Sequence, residues 1–282
     1  MARPNIEPIT ADTLPEFAAF LCEHMSVRRS RHDWQQGLAR NWSENRPNFG
    51  FLVRDEGRIV GGIGAYYADR LIRGQVERFC NITSWCVLDS HRQQSMRLAM
   101  AVIAQPGYHF TDFSPTEVVG KSLRFLKFKS MDDRQAVMLN LPWLPMSGKL
   151  LYRPADIDAA LTGAPRQVYR DHVGYPWLHH VLIGDGNAWC HVIYKREHFK
   201  GLPAARILYL SDASLFDKHF RCLSAHLLRR GMVSTHVECR FLKRLPWPSA
   251  IRTGFNAKVF LSTSLQEPDI DYLYSESIAL DL

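Results

Sequence analysis

The sequence predicts an α/β protein made of two similar halves. Three observations carry this. The chain has 282 residues, enough for two ordinary domains. Runs of β-forming residues alternate with runs of helical periodicity along its whole length. The order of these runs then repeats. A strand ending near Leu88 leads into a helix, a strand, a helix and Lys127-Phe128. A strand ending near Leu210 leads into a helix, a strand, a short helix and Gly254-Phe255, and the two spans differ in length by about five residues. Between the halves Pro142, Pro145, Pro154 and Pro165 mark a connecting stretch. The expected division is residues 1–145, a Pro-rich linker at 146–166, and 167–282.

The elements follow in order. "ADTLPEFAAFLCEHM" reads as a helix capped by Thr13, with Leu14, Phe17, Phe20 and Leu21 on one face. "RHDWQQGLARNW" reads as a second. "NFGFLVRDEGRIVGGIGAYYADRLI" reads as a hairpin turning at Asp55-Glu56-Gly57. "RFCNITSWCVL" is rich in β-formers and is expected to be a central strand. "RQQSMRLAMAVIA" is expected to be a helix burying Met96, Ala99, Met100 and Ile103. "YHFTDF" is a short strand, and "PTEVVGKSLRFLKF" is a helix opened by Pro115 after a Ser114 cap. "QAVMLNLPW" is the last strand of the first half. In the second half "AWCHVIYKREHFKGLPAARILYLSD" reads as two strands, and "SLFDKHFRCLSAHLLRRG" as a helix stopped by Gly231. "MVSTHVECRFL" reads as a strand, "WPSAIRTGF" as a short helix, and "KVFLSTSL" and "DIDYLYSESIAL" as terminal strands.

Hydrophobic residues make up 46% and charged residues 22%, the balance of a folded, soluble chain. No apolar run reaches the roughly 20 residues of a membrane span, and the first residues lack a signal-peptide core. Cytoplasm is the expected location, without membrane insertion. Six cysteines fall mostly in apolar stretches, with no CxxC pair, and are expected to be reduced core thiols. The formal charge of +7 allows an anionic partner. The basic residues are spread out, and no aromatic–basic stripe accompanies them, which argues against nucleic acid.

"SWCVLDSHRQQSMR" carries the functional reading. An apolar strand stops at Asp89, a polar basic turn follows, and a helix begins. Amides at a helix N-terminus favour phosphate. The order of elements, with this turn after the central strand, resembles the GNAT family of acyl-CoA N-acyltransferases. The resemblance covers most of residues 10–140 and, more faintly, 170–282. It implies two tandem GNAT-like domains, each a mixed, mostly antiparallel sheet flanked by helices. It also implies acetyl-CoA or another acyl-CoA as co-substrate, with no metal. In the family the turn reads R/Q-x-x-G-x-G/A and cradles the pyrophosphate. Here it reads Arg92-Gln93-Gln94-Ser95-Met96-Arg97. Arg92 fits the first position, while Ser95 and Arg97 stand where small residues are usual. Cys86, Val87 and Leu88 would pair with the pantetheine arm and hold the oxyanion on a backbone N–H, and Ser114 would also bind the co-substrate.

The resemblance also locates departures. The family's Y-x-x-x-G-F stretch corresponds to Leu123 through Phe128, with Lys127 in place of glycine. Leu123 stands where a tyrosine often protonates the leaving thiolate, and leucine cannot donate a proton. Glu77 and Asp112 are the candidate general bases, each with a structural alternative: an ion pair with Arg73 or Arg78 for Glu77, a turn cap for Asp112. His109 reads as structural. In the second half Asp212 and Asp217 flank the equivalent turn and would repel a pyrophosphate. That copy is therefore expected to be degenerate, with the reverse assignment as the alternative. His172, His179 and His180 lack ligand spacing, and "GIGAYY" sits within a hairpin rather than before a helix, so neither is read as a site. The sequence thus predicts transfer of an acyl group to a primary amine on a small molecule or a peptide. The alternative is a catalytically silent GNAT-fold binding protein.

Overall fold

The computed structural model describes residues 4–25, 29–143, 148–255 and 258–281. The chain divides into two units. One comprises Met1–Met131, Asn256–Gln266 and Tyr274–Leu282, and the other Asp132–Phe255 and Glu267–Leu273. The expected boundary at 145–146 lies outside the described residues.

The first unit begins with β1 (Asn5–Pro8), α1 (Leu14–His24) and α2 (Arg31–Ala39). The hairpin strands β2 (Gly50–Asp55) and β3 (Arg58–Ile72) follow, then β4 (Gln75–Val87). A 3-10 turn over Asp89–Gln94 runs into α3 (Ser95–Ile103), and β5 (His109–Asp112), α4 (Glu117–Phe125) and β6 (Lys129–Ser130) complete the run. In the second unit come β7 (Gln135–Leu139), β8 (Lys149–Leu151), α5 (Pro154–Ala160) and α6 (Gly163–His172). Next are β9 (His179–Gly184), β10 (Trp189–Phe199), β11 (Leu202–Leu210), α7 (Ala213–Arg229), β12 (Ser234–Glu238) and β13 (Ser249–Arg252). The chain then returns to the first unit with β14 (Val259–Leu261) and α8 (Glu276–Ala279).

Each unit has one seven-stranded sheet, ordered β1-β2-β3-β4-β5-β14-β6 and β13-β7-β12-β11-β10-β9-β8. Both are mostly antiparallel, with one parallel pair each among the central strands, β4 with β5 and β11 with β12. The halves exchange a strand. β7, expected in the first half, pairs with β12, and β14, expected in the second, pairs with β5. Pairing thus follows hydrogen-bond partners across the chain rather than sequence order.

Local chemistry explains most elements. Glu56 and Gly57 take positive φ (44° and 79°), as a two-residue hairpin turn demands. The glycines of "GGIG" serve packing: a Cβ at Gly62 would lie 2.3 Å from the Phe17 ring of α1. Several expectations are corrected. Thr13 makes no side-chain cap for α1, whereas Ser30 and Asp33 form a capping box on α2. α3 buries Leu98, Ala99 and Val102 rather than Met100, which is 55% exposed. Thr116, not Ser114, caps α4 by accepting from Val119 N–H. Ser249–Arg252 is a strand rather than a helix, and "DIDYLYSESIAL" contains α8 rather than a strand.

Candidate active site

β4 and β5 pair in parallel through Phe79–His109, Cys80–Phe110 and Asn81–Thr111 only. β4 continues to Val87 while β5 stops at Asp112, so the strands part. A bulge helps to open the gap. Ser84 holds φ 50°, and the register against β3 shifts between Gly62 and Gly64. At the opening lies a cavity of 220 Å³. Thr83, Ser84 and Trp85 of β4 line it, with Asp112 at the end of β5 and Ser114 just beyond it. Met25, Trp34, Val119 and Leu280 give it an apolar wall. Of the candidate residues, Asp112 and Ser114 are brought together here.

Asp112 is 5% exposed, and beside it is Glu276 of α8, fully buried. Glu276 Oε1 accepts the Phe113 N–H (2.8 Å) and the Ser114 hydroxyl (3.0 Å), and its own N–H donates to Asn81 Oδ1 (2.8 Å). Asp112 receives less, an N–H from Ser114 at 3.1 Å. Burial, then the Glu276 charge, push the Asp112 carboxyl well above the usual carboxylate range. Burial raises Glu276 as well, against the opposing pull of its hydrogen bonds. Glu276 Oε1 has more donors than Asp112, so its carboxylate is the better stabilised of the two. Glu276 stands 164 residues beyond Asp112 in the chain, and no sequence signal links the two.

Glu77 is placed elsewhere. It lies at the other end of the β4–β5 pairing and does not line the cavity. It meets His109 Nε2 at 2.8 Å, while His109 Nδ1 meets the Ser262 hydroxyl at 2.9 Å. Ser262 Oγ already accepts the N–H groups of Ser264 and Leu265. Its proton must therefore point at Nδ1, leaving Nε2–H for Glu77. The chain of bonds ties β4, β5 and the segment after β14 together, in keeping with a structural His109.

The N–H of Leu88 donates to Val60 O at 2.9 Å, so it faces β3 and is not available for an oxyanion, contrary to one of the three positions expected. Antiparallel alternation turns the Val87 N–H to the opposite, open edge. Cys86 is half-buried against the α1 side of the sheet.

The polar turn is more closed than its sequence implies. Arg92 is exposed but paired with Asp89 (2.8 Å), and Gln93 is exposed. Gln94 is buried and accepts from Arg97, whose guanidinium also donates to Pro4 O at 3.2 Å. Arg97 is thus turned inward by these two contacts. Ser95 is half-buried, and its N–H is used by Arg92 O. Met96 is half-buried too. Because the 3-10 turn runs straight into α3, the first amides of α3 are partly consumed, the His91 N–H already donates to Leu88 O (2.8 Å), and the positive helix end moves back toward Asp89 and Ser90. The His91 ring is held by Asp55 at 2.9 Å. Leu123 is fully buried in the core under β4 and β5.

The equivalent positions of the second unit are filled. Asp212 Oδ1 caps α7, accepting from Ser214 and Leu215 N–H at 2.7 and 2.9 Å. Asp217 pairs with Arg244. Among the described residues no group of three His, Cys, Asp or Glu side chains is placed to hold a metal ion. No described helix is long and apolar enough to cross a membrane.

No protein-family model matches the chain, and no curated protein matches it by sequence. Solved structures do resemble it. A GCN5-related N-acetyltransferase from Anabaena variabilis superposes with a TM-score of 0.61 at 11% identity, covering 92% of this chain and 72% of its own. One from Kribbella flavida gives 0.61 at 12% identity, covering 92% and 70%. Eis1 from Mycobacterium abscessus gives 0.55 at 13% identity, covering 92% and 73%. The fold is that of the GCN5-related N-acetyltransferases, with two seven-stranded sheets.

Proposed function

We propose that the first unit transfers an acyl group, acetyl in the simplest case, from acyl-CoA to a primary amine. The observation that carries this reading is the cavity at the β4–β5 opening with Asp112 buried on its wall beside Glu276, a placement that raises its carboxyl well above the usual range. Acyl-CoA supplies the activated thioester. Trp34, Trp85 and Val119 offer apolar surface to a short acyl group, and 220 Å³ leaves little room for a long one. As a carboxylic acid, Asp112 is suited to protonate the departing thiolate, the task that Leu123 cannot perform. The dyad then recovers a proton as the attacking nitrogen loses one, so the proton count closes. This changes the role expected of Asp112 from base to proton donor and sets Glu77 aside.

A second reading, a silent binding protein of the same fold, is favoured by the consumed Ser95 amide and the inward Arg97. Titration calorimetry with acetyl-CoA and with longer acyl-CoAs separates the two. Binding of acetyl-CoA followed by transfer to an amine library supports the enzyme. Absence of binding by every acyl-CoA removes the enzyme reading. In the second unit, the capped Asp212 and paired Asp217 support a degenerate copy.

A further inference from the structure

The second unit has a cavity of 210 Å³ where α5, α6 and the end of α7 meet β9 and β10. It lies away from the point where β11 and β12 part. Rings dominate its wall. Tyr194 lies tilted against His179 (5.0 Å between centroids, 32°), and Tyr169 stands edge-on to His180 (5.1 Å, 89°). Tyr152 packs against His226 at 5.2 Å, with the Arg230 guanidinium 4.9 Å from its ring centre.

Three features define what would fit. Among the described lining residues none is a carboxylate, and Arg230 is the one permanent charge. The histidines do not add to it. Burial, then the His172 charge, lowers His180 to about 3, and burial with Arg230 and Arg229 lowers His226 to about 4. Their imidazoles are therefore neutral at physiological pH and available as hydrogen-bonding groups. The Nε2 atoms of both His180 and His226 are buried without a hydrogen-bond partner. Buried polar atoms without partners are destabilising, and a ligand can satisfy them.

We propose that this cavity binds a small, single-ring aromatic carboxylate, its ring among the tyrosine and imidazole rings and its carboxylate on Arg230 with the neighbouring His226 nitrogen. A cation opposed by no acid selects an anion. The ring-lined wall and the small volume select one planar ring. The proposal does not depend on catalysis by the first unit.

The test uses the whole chain and three probes in titration calorimetry: benzoate, its uncharged analogue benzamide, and inorganic phosphate. Benzoate is expected to bind, with benzamide and phosphate each at least about tenfold weaker. Arg230→Gln is expected to weaken benzoate at least about tenfold with an unchanged thermal midpoint, and Arg230→Lys to restore part of the loss. Arg230 is exposed, so both variants keep the core intact. No heat with benzoate at millimolar concentration would overturn the proposal. So would equal affinity for benzamide or phosphate, or a benzoate affinity indifferent to Arg230→Gln.

Discussion

The two points at which parallel strands part use the same backbone in opposite ways. In the first unit β5 ends on Asp112, which pairs with the first residue of β14; in the second β12 ends on Glu238, which pairs with the first residue of β7. Both carboxyls are buried. Glu238 is neutralised: Arg240 Nε donates to it at 2.6 Å and the Tyr272 hydroxyl at 2.6 Å. Asp112 instead faces a second carboxyl, Glu276, and opens on a cavity. A buried acid with a cation beside it is a structural tie. One beside another acid keeps a proton that it can exchange.

This contrast can be broken from either side. The largest effect is expected from Arg240→Met, which leaves Glu238 uncompensated and should lower unfolding free energy by about 3–5 kcal/mol in a denaturant titration. Asp112→Asn should reduce acyl transfer by about 10²-fold or more while acetyl-CoA affinity stays within about threefold, if Asp112 is the proton donor. A similar loss in affinity would assign Asp112 to binding instead.

The third expectation concerns pH. A free Asp titrates near 3.9, and folded Asp112 titrates higher. Between those values the folded state holds a proton that the unfolded chain has lost. Stability is therefore full below the unfolded value and falls as pH rises through the interval, by at most about 1.4 kcal/mol per pH unit for one proton. Asp112→Asn should flatten this slope, as measured by thermal unfolding against pH. The smallest effect is expected at Arg92, exposed and paired with Asp89. Arg92→Glu should weaken acetyl-CoA by about three- to fivefold, an effect that shrinks in salt. An unchanged dissociation constant would move the pyrophosphate away from this turn.

Much of the fold is legible in the sequence because local rules decide it. The Asp55-Glu56-Gly57 hairpin, the β-rich run at 78–88 and the helix stopped by Gly231, whose φ is 82°, follow from turn chemistry and periodicity. The strand exchange is not legible, since β7 and β14 are short and apolar and either sheet can accept them. "YSESIAL" carries β-forming residues, yet tertiary burial of Glu276 against Asn81 and Ser114 makes it helical. The site is legible in part. Asp112 and Ser114, both singled out in the sequence, line one cavity, but the inward turn of Arg97 and the pairing of Glu77 with His109 depend on neighbours distant in sequence.

The most direct test of the account is an NMR titration of the Asp112 side-chain carboxyl carbon. The account predicts a midpoint well above the ordinary carboxylate range, falling toward that range in Glu276→Gln. A midpoint near 4 in the unaltered protein, the value of a solvated aspartate, would contradict it.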